Sequence, residues 1–158
     1  MKRSIKISLH PLFLALSLVY CLIFISYGLI SVKAIIINGY SFNNMIEIII
    51  CILCIALAFY LFIIRYHTIE VYDNKYILKS FKESREILFN EIINVKQTPV
   101  SFFNYRIGSL GVMGIISLES KGGETYNLSN LKNALKITFN NNDVLYISCD
   151  NPKTIIEK

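Results

Sequence analysis

The chain is short of the residues from which most catalytic and metal-binding sites are built. It has two histidines, His10 and His67, no tryptophan, and four cysteines with no second CxxC pair. His67 is the only histidine beyond residue 64 and no serine sits in a Gly-x-Ser-x-Gly context, so a Ser/His/Asp arrangement lacks its parts. Cys51 and Cys54 form a CxxC inside an apolar run without a histidine nearby, which makes them small hydrophobes rather than metal or redox ligands. Glu83 and Glu86 flank Arg85 as a solvated strand face. No enzymatic activity, metal or cofactor is expected from this inventory.

Charge is missing from two long stretches. Residues 7–32 and 48–64 carry no Lys, Arg, Asp or Glu. A helix needs about 20 apolar residues to cross a hydrocarbon core of ~30 Å. The two runs therefore predict a membrane hairpin, with helices at about 9–33 and 45–64. The first run is far longer than the ~7–15 residues of a signal-peptide core, so it reads as an uncleaved helix. Between the runs, Asn38-Gly39-Tyr40-Ser41-Phe42-Asn43-Asn44 supplies a turn.

The net charge of +5 belongs mostly to the membrane flank, because residues 1–64 hold four basic residues against Glu47 alone. A pI near 9.0 on these terms is no sign of nucleic acid. Lys2, Arg3 and Lys6 precede the first helix, and Arg65, Lys75, Lys79 and Lys82 follow the second, against Lys33 in between. By the positive-inside rule both termini are expected in the cytoplasm. Small residues align along the first helix at Ser17, Cys21, Gly28 and Ser31, and along the second at Cys51, Cys54 and Ala58. Facing these stripes would let two helices close tightly in lipid. The first run has no ionisable side chain beyond His10 at its inner edge, so the hairpin reads as an anchor rather than an ion path.

After Arg65 the pattern becomes short and alternating. Thr68–Tyr72, Tyr76–Phe81, Glu86–Phe89, Ile92–Val95, Ile116–Glu119, Thr125–Leu128, Leu135–Asn140 and Val144–Ile147 alternate or run apolar, with turn residues between them. Six or seven strands drawn from these eight runs predict an antiparallel sandwich or barrel over residues 65–158. The end differs: Asn151 and Pro152 suit a helix start, and Thr154-Ile155-Ile156 gives the short helix a pair of isoleucines to bury. With Ile137, Phe139, Ile147 and Ile156 inside, residues 66–158 are expected to close one core.

A resemblance follows from three stretches: Arg106-Ile107-Gly108 leading to Gly111 and Gly114, the Asn127–Asn133 turn into a strand, and Tyr146–Pro152 leading into the terminal helix. The part from Ile69 to Lys158 resembles the bacterial pleckstrin-homology-like domains found behind one or two membrane helices. The resemblance implies a seven-stranded antiparallel barrel or sandwich with a C-terminal helix, at the cytoplasmic face of the bacterial cell (inner) membrane. It implies fold more than activity. The loop equivalent to the phosphoinositide-binding loop of eukaryotic relatives would be Asp73-Asn74-Lys75 and carries one lysine.

Arg106, Gly108, Gly111 and Gly114 are the candidate ligand-binding residues. Glycines expose backbone N–H groups, and an arginine adds a fork for phosphate or carboxylate. The spacing is neither a Walker loop nor a dinucleotide fingerprint. The plainer reading is a bend where a strand turns, with glycine supplying unusual backbone angles. The expected function is a non-enzymatic membrane protein presenting a cytoplasmic interaction or assembly module. Its partners are the lipid bilayer and another protein or a second copy of itself, with no nucleic acid. The alternative is an accessory or regulatory subunit that senses an anionic small molecule or lipid through the Arg106 loop.

Overall fold

The computed structural model describes residues 3–100, 113–116 and 123–156. Two long apolar helices form the first half. α1 (Pro11–Asn38) has 28 residues and α2 (Phe42–Ile64) has 23, or ~42 Å and ~34 Å at the helical rise. Pro11 occupies the first helical position, where its missing N–H costs nothing. His10 before it accepts the Leu12 N–H at Nδ1, at 3.2 Å. α1 runs on past residue 33 to Asn38, and Gly39 ends it with φ +82°, a conformation that L side chains rarely adopt. Only 11% and 17% of the most apolar stretches of the two helices is buried within the protein. A core helix of a soluble domain would be mostly buried, whereas these present Leu, Ile and Phe side chains outward over most of their length.

The helices pack through small and polar residues. A Cβ on Gly28 would meet the Cys51 Cβ at 3.6 Å, so the backbones approach closely there. One turn further out, Ser31 Oγ donates to Glu47 Oε2 at 2.6 Å, and about two turns back from Gly28 the Tyr20 hydroxyl donates to the Cys54 carbonyl at 3.3 Å. Ser17 does not belong to this seam. It faces the β region instead, as described below.

The β region begins before the helices. β1 (Arg3–Lys6) pairs antiparallel with β2 (Thr68–Val71), Lys6 opposite Thr68 and Arg3 opposite Val71. With β3 (Lys75–Lys79) and β4 (Ser84–Leu88) they form a four-stranded sheet in the order β1-β2-β3-β4. A 3-10 turn at Phe89–Glu91 leads to β5 (Ile92–Gln97). β5, β6 (Ile115–Ile116), β7 (Glu124–Leu128), β8 (Ala134–Phe139) and β9 (Val144–Ser148) form a second sheet, in the order β5-β8-β9-β7-β6. α3 (Lys153–Ile156) closes the described chain.

Among the described residues the two sheets do not join into a closed barrel, contrary to the barrel form of the expectation. Nor is the pairing wholly antiparallel: β7 runs parallel to β9, Glu124 opposite Val144 and Tyr126 opposite Tyr146. The turn at Asn141-Asn142-Asp143, with Asn142 at φ +66°, fixes the local β8–β9 hairpin. It says nothing of the third strand beside β9. That neighbour is set by cross-strand packing, with the Tyr126 and Tyr146 rings stacked at 4.6 Å and 2°.

The alternating residues of the two sheets make the main core: Ile69, Val71, Tyr76, Leu78 and Ile87 from one, Leu135, Ile137, Phe139, Leu145 and Ile147 from the other. Ile7, at 3% exposure, enters this core from the N-terminal segment. Ser8 is tied to the far end of the chain, its N–H and Oγ meeting the Asp150 carboxylate at 2.9 and 2.6 Å. The isoleucine pair of α3 divides, with Ile155 buried and Ile156 at 40% exposure. So short a helix has one inward position, and Ile155 fills it.

Candidate functional site

Of the sequence-derived candidates, Arg106, Gly108 and Gly111 lie outside the described residues. Gly114 lies within them, at φ +109°, and a Cβ there would fall on the Leu128 carbonyl oxygen. Its glycine identity is therefore demanded by backbone packing where the chain enters β6 beside its antiparallel neighbour β7. The preceding residue, Met113, is also left-handed at φ +58°, and its N–H donates to Ser17 Oγ on α1 at 2.7 Å. Beside this bond Phe13 is buried with Ile115, Leu128 and Ala134 in a second, smaller core. Phe13 and Ser17 are four residues apart and share a helix face. The inner two turns of α1 are thus docked on the β region, and Gly114 marks the docking point.

Among the described residues the thiols and carboxylates form no cluster that marks a reactive centre. Cys149 is fully buried, and burial pushes its thiol up to about 11. Glu70 is buried but accepts from Lys79 Nζ at 2.9 Å and Tyr72 Oη at 3.1 Å. Glu86 pairs with Lys75 on the strand surface. Among the described residues no group of three His, Cys, Asp or Glu side chains could hold a metal ion.

The junction between α2 and β2 is different. Arg65 caps α2, its N–H donating to the Leu61 carbonyl at 3.2 Å. The next two residues are held by the backbone: Tyr66 N–H donates to Asn127 Oδ1, and His67 bonds to both Lys79 and Ile7. The turn between β3 and β4 folds back onto the helix end, where the Phe81 N–H donates to the Ile63 carbonyl at 3.2 Å. Phe81 then stacks on both Phe62 (5.4 Å) and His67 (4.4 Å). The Arg65 guanidinium lies 5.7 Å from the Phe62 ring centre, and Lys82 Nζ lies 5.4 Å from that of Tyr60.

Within this cluster three buried atoms, Arg65 Nε and Nη1 and His67 Nδ1, have no hydrogen-bond partner among the described residues. Arg65 is 8% exposed, and desolvation lowers its pKa from the ordinary guanidinium value. A buried guanidinium with open donors is costly to fold unless an acceptor reaches it. Sequence reading counted Arg65 only as one of several basic flank residues. Its position at the last turn of an apolar helix, two residues before a histidine, was the available signal.

No family model, curated protein or solved structure matches the chain.

Proposed function

We propose that this chain is a non-enzymatic, two-pass membrane protein that presents its β region to the cytoplasm as an interaction or assembly module. The observation that carries this reading is the pairing of β1 with β2. One strand precedes the hairpin and the other follows it, yet they are neighbours in one sheet. Both ends of the hairpin must then emerge on the same side as the β region. The basic residues on these two flanks favour the cytoplasmic side, with the short Gly39–Ser41 turn outside.

Two sheets and a terminal helix behind the hairpin support a pleckstrin-homology-like module in the bacterial cell membrane. The strand contributed from before the helices and the parallel β7–β9 pair set it apart from the usual antiparallel plan. An interaction role fits an apolar anchor and a solvated outer strand face.

Reporter fusions test the topology. A fusion after Lys158 should report a cytoplasmic location and one at Asn43 an external location. The opposite pattern refutes the orientation. Purification of the full chain in mild detergent tests the module: a stoichiometric protein partner or a defined self-association is expected, and a chain that is monomeric and alone under all conditions argues against it.

A further inference from the structure

The Arg65–His67 junction has the chemistry of an oxyanion site at the depth of the lipid headgroups. α2 is ~34 Å long, about the thickness of the hydrocarbon core plus one turn. If its outer end lies at one membrane surface, Arg65, one residue beyond its inner end, lies at the other. An arginine there would ordinarily extend into water, but this one is 8% exposed, with Nε and Nη1 unpartnered among the described residues. His67 follows two residues later, and both side chains pack on one aromatic cluster, Arg65 against Phe62 and His67 against the Phe81 ring that stacks on Phe62. The His67 Nδ1 is likewise buried without a partner among the described residues. A second cation, Lys82, is held at the tip of the neighbouring turn by Ser80, whose Oγ accepts the Lys82 and Glu83 N–H groups at 3.2 and 3.0 Å. Tyr60, Phe62 and Phe81 surround these groups with rings of the kind that settle at a membrane interface.

We infer that Arg65 and His67, assisted by Lys82, bind the phosphate of a phosphate ester, with an anionic phospholipid of the inner leaflet as the source that the position favours. A guanidinium offers a planar fork to two phosphate oxygens, and the imidazole supplies or shares a third contact. Phe81 is the residue to move. It is 64% exposed, and its ring covers the His67 face. The inference rests on the two-pass reading above, because only that reading brings the junction to headgroup depth.

The test uses the full chain in phosphate-free maltoside micelles. Thermal unfolding is followed on adding phosphatidylglycerol, phosphatidylcholine or inorganic phosphate, and native mass spectrometry counts retained lipid. Phosphatidylglycerol should raise the unfolding temperature and stay bound, with phosphatidylcholine much weaker. Arg65→Gln should weaken retention by roughly tenfold to a hundredfold, as expected for loss of a charge-assisted contact. Lys82→Gln lies on an exposed turn and should reduce the effect without disturbing the fold, so it decides the matter if Arg65→Gln does not fold. An equal, Arg65- and Lys82-dependent effect of inorganic phosphate supports the site with soluble phosphate as the source. No effect from either ligand, or one indifferent to both variants, overturns the inference. A chain that fails to insert into phosphatidylcholine–phosphatidylglycerol vesicles at all overturns the membrane reading and the lipid site with it, whereas insertion without variant-dependent binding overturns the site alone.

Discussion

Excising the β region at residue 66 should remove two pieces of its own core. Ile7 is 3% exposed in the main core and Phe13 is 1% exposed in the smaller one. Truncation of such side chains to alanine costs ~2–5 kcal/mol for Ile and ~3–5 kcal/mol for Phe. Together that is ~5–10 kcal/mol, comparable with the whole ~5–15 kcal/mol stability of a small domain. Excision goes further than truncation, since it also strips β2 of its partner strand and Asp150 of its bonds to Ser8. A fragment of residues 66–158 is therefore expected to be largely unfolded in water. Because Ile7 N–H bonds the His67 carbonyl at 2.9 Å, the two strands can be rejoined without the helices. A chain carrying residues 1–9 joined by a short Gly/Ser linker to 65–158 should regain a cooperative urea transition, followed by circular dichroism. In the full chain in detergent, Ile7→Ala and Phe13→Ala should each lower the unfolding midpoint. If the 66–158 fragment unfolds cooperatively with the same midpoint as the rejoined chain, the N-terminal strand is an ornament and the reasoning fails.

Gly114→Ala should cost about 2–4 kcal/mol, since an L residue at φ +109° is strained and its Cβ meets backbone rather than a movable side chain; an unchanged melting temperature in detergent would mean that the chain does not approach Leu128 closely there. Gly28→Leu should loosen the hairpin while Gly28→Ala is tolerated, because the space opposite is one van der Waals contact to Cys51 at 3.6 Å. Disulfide cross-linking of a Ser31→Cys/Glu47→Cys variant reads this directly, and equal yields in both backgrounds would refute it. Stability should fall as pH rises from 9 to 11. The buried Cys149 thiol titrates near 11 in the folded chain against 9.0 when free, so between those values the unfolded state releases a proton that the folded state retains. The loss is of order 2 kcal/mol. It should be smaller in Cys149→Ala, although Tyr66 and Tyr76, also raised by burial, keep some alkaline sensitivity in any variant.

The helices were legible because apolar length is a one-dimensional property: an uncharged run of 17 residues or more needs no tertiary information to be recognised. Their ends were less so, since Lys33 looks like a boundary in sequence but is carried within α1, which stops at Gly39. Period-two alternation likewise located most strands after Arg65, and Leu135, Ile137 and Phe139 face inward as their spacing requires. The four residues of β1 escaped notice because Arg-Ser-Ile-Lys reads as a basic flank. Its strand character comes from β2, more than sixty residues away, not from its own propensity. The parallel β7–β9 pair was hidden for the same reason, as turn residues specify hairpins and not the neighbour across the sheet. Ser17 illustrates a subtler failure. Its small size placed it on the helix–helix stripe, but what decides its face is a hydroxyl that receives the Met113 N–H.

These non-local contacts change what the anchor can do. A domain on a single tether samples many orientations, and its surfaces meet the membrane at random. Here the hairpin is inserted between two paired strands, so both of its inner ends are fixed to the same sheet. The bond from Met113 to Ser17 and the burial of Phe13 add a third attachment, on the other sheet. The Phe81 turn, bonded to the Ile63 carbonyl, adds a fourth at the end of α2. With several contacts spread over both helices and both sheets, the β region has little freedom to rotate against the bilayer normal. On the proposed two-pass reading, the same faces therefore meet the headgroups in every copy. A tilt of the helices, imposed by lipid thickness or by a partner, would pass to the β region through these contacts rather than be absorbed by a linker. Arg65 lies at the point where α2 enters the β region, which is where an oxyanion would alter that coupling most directly.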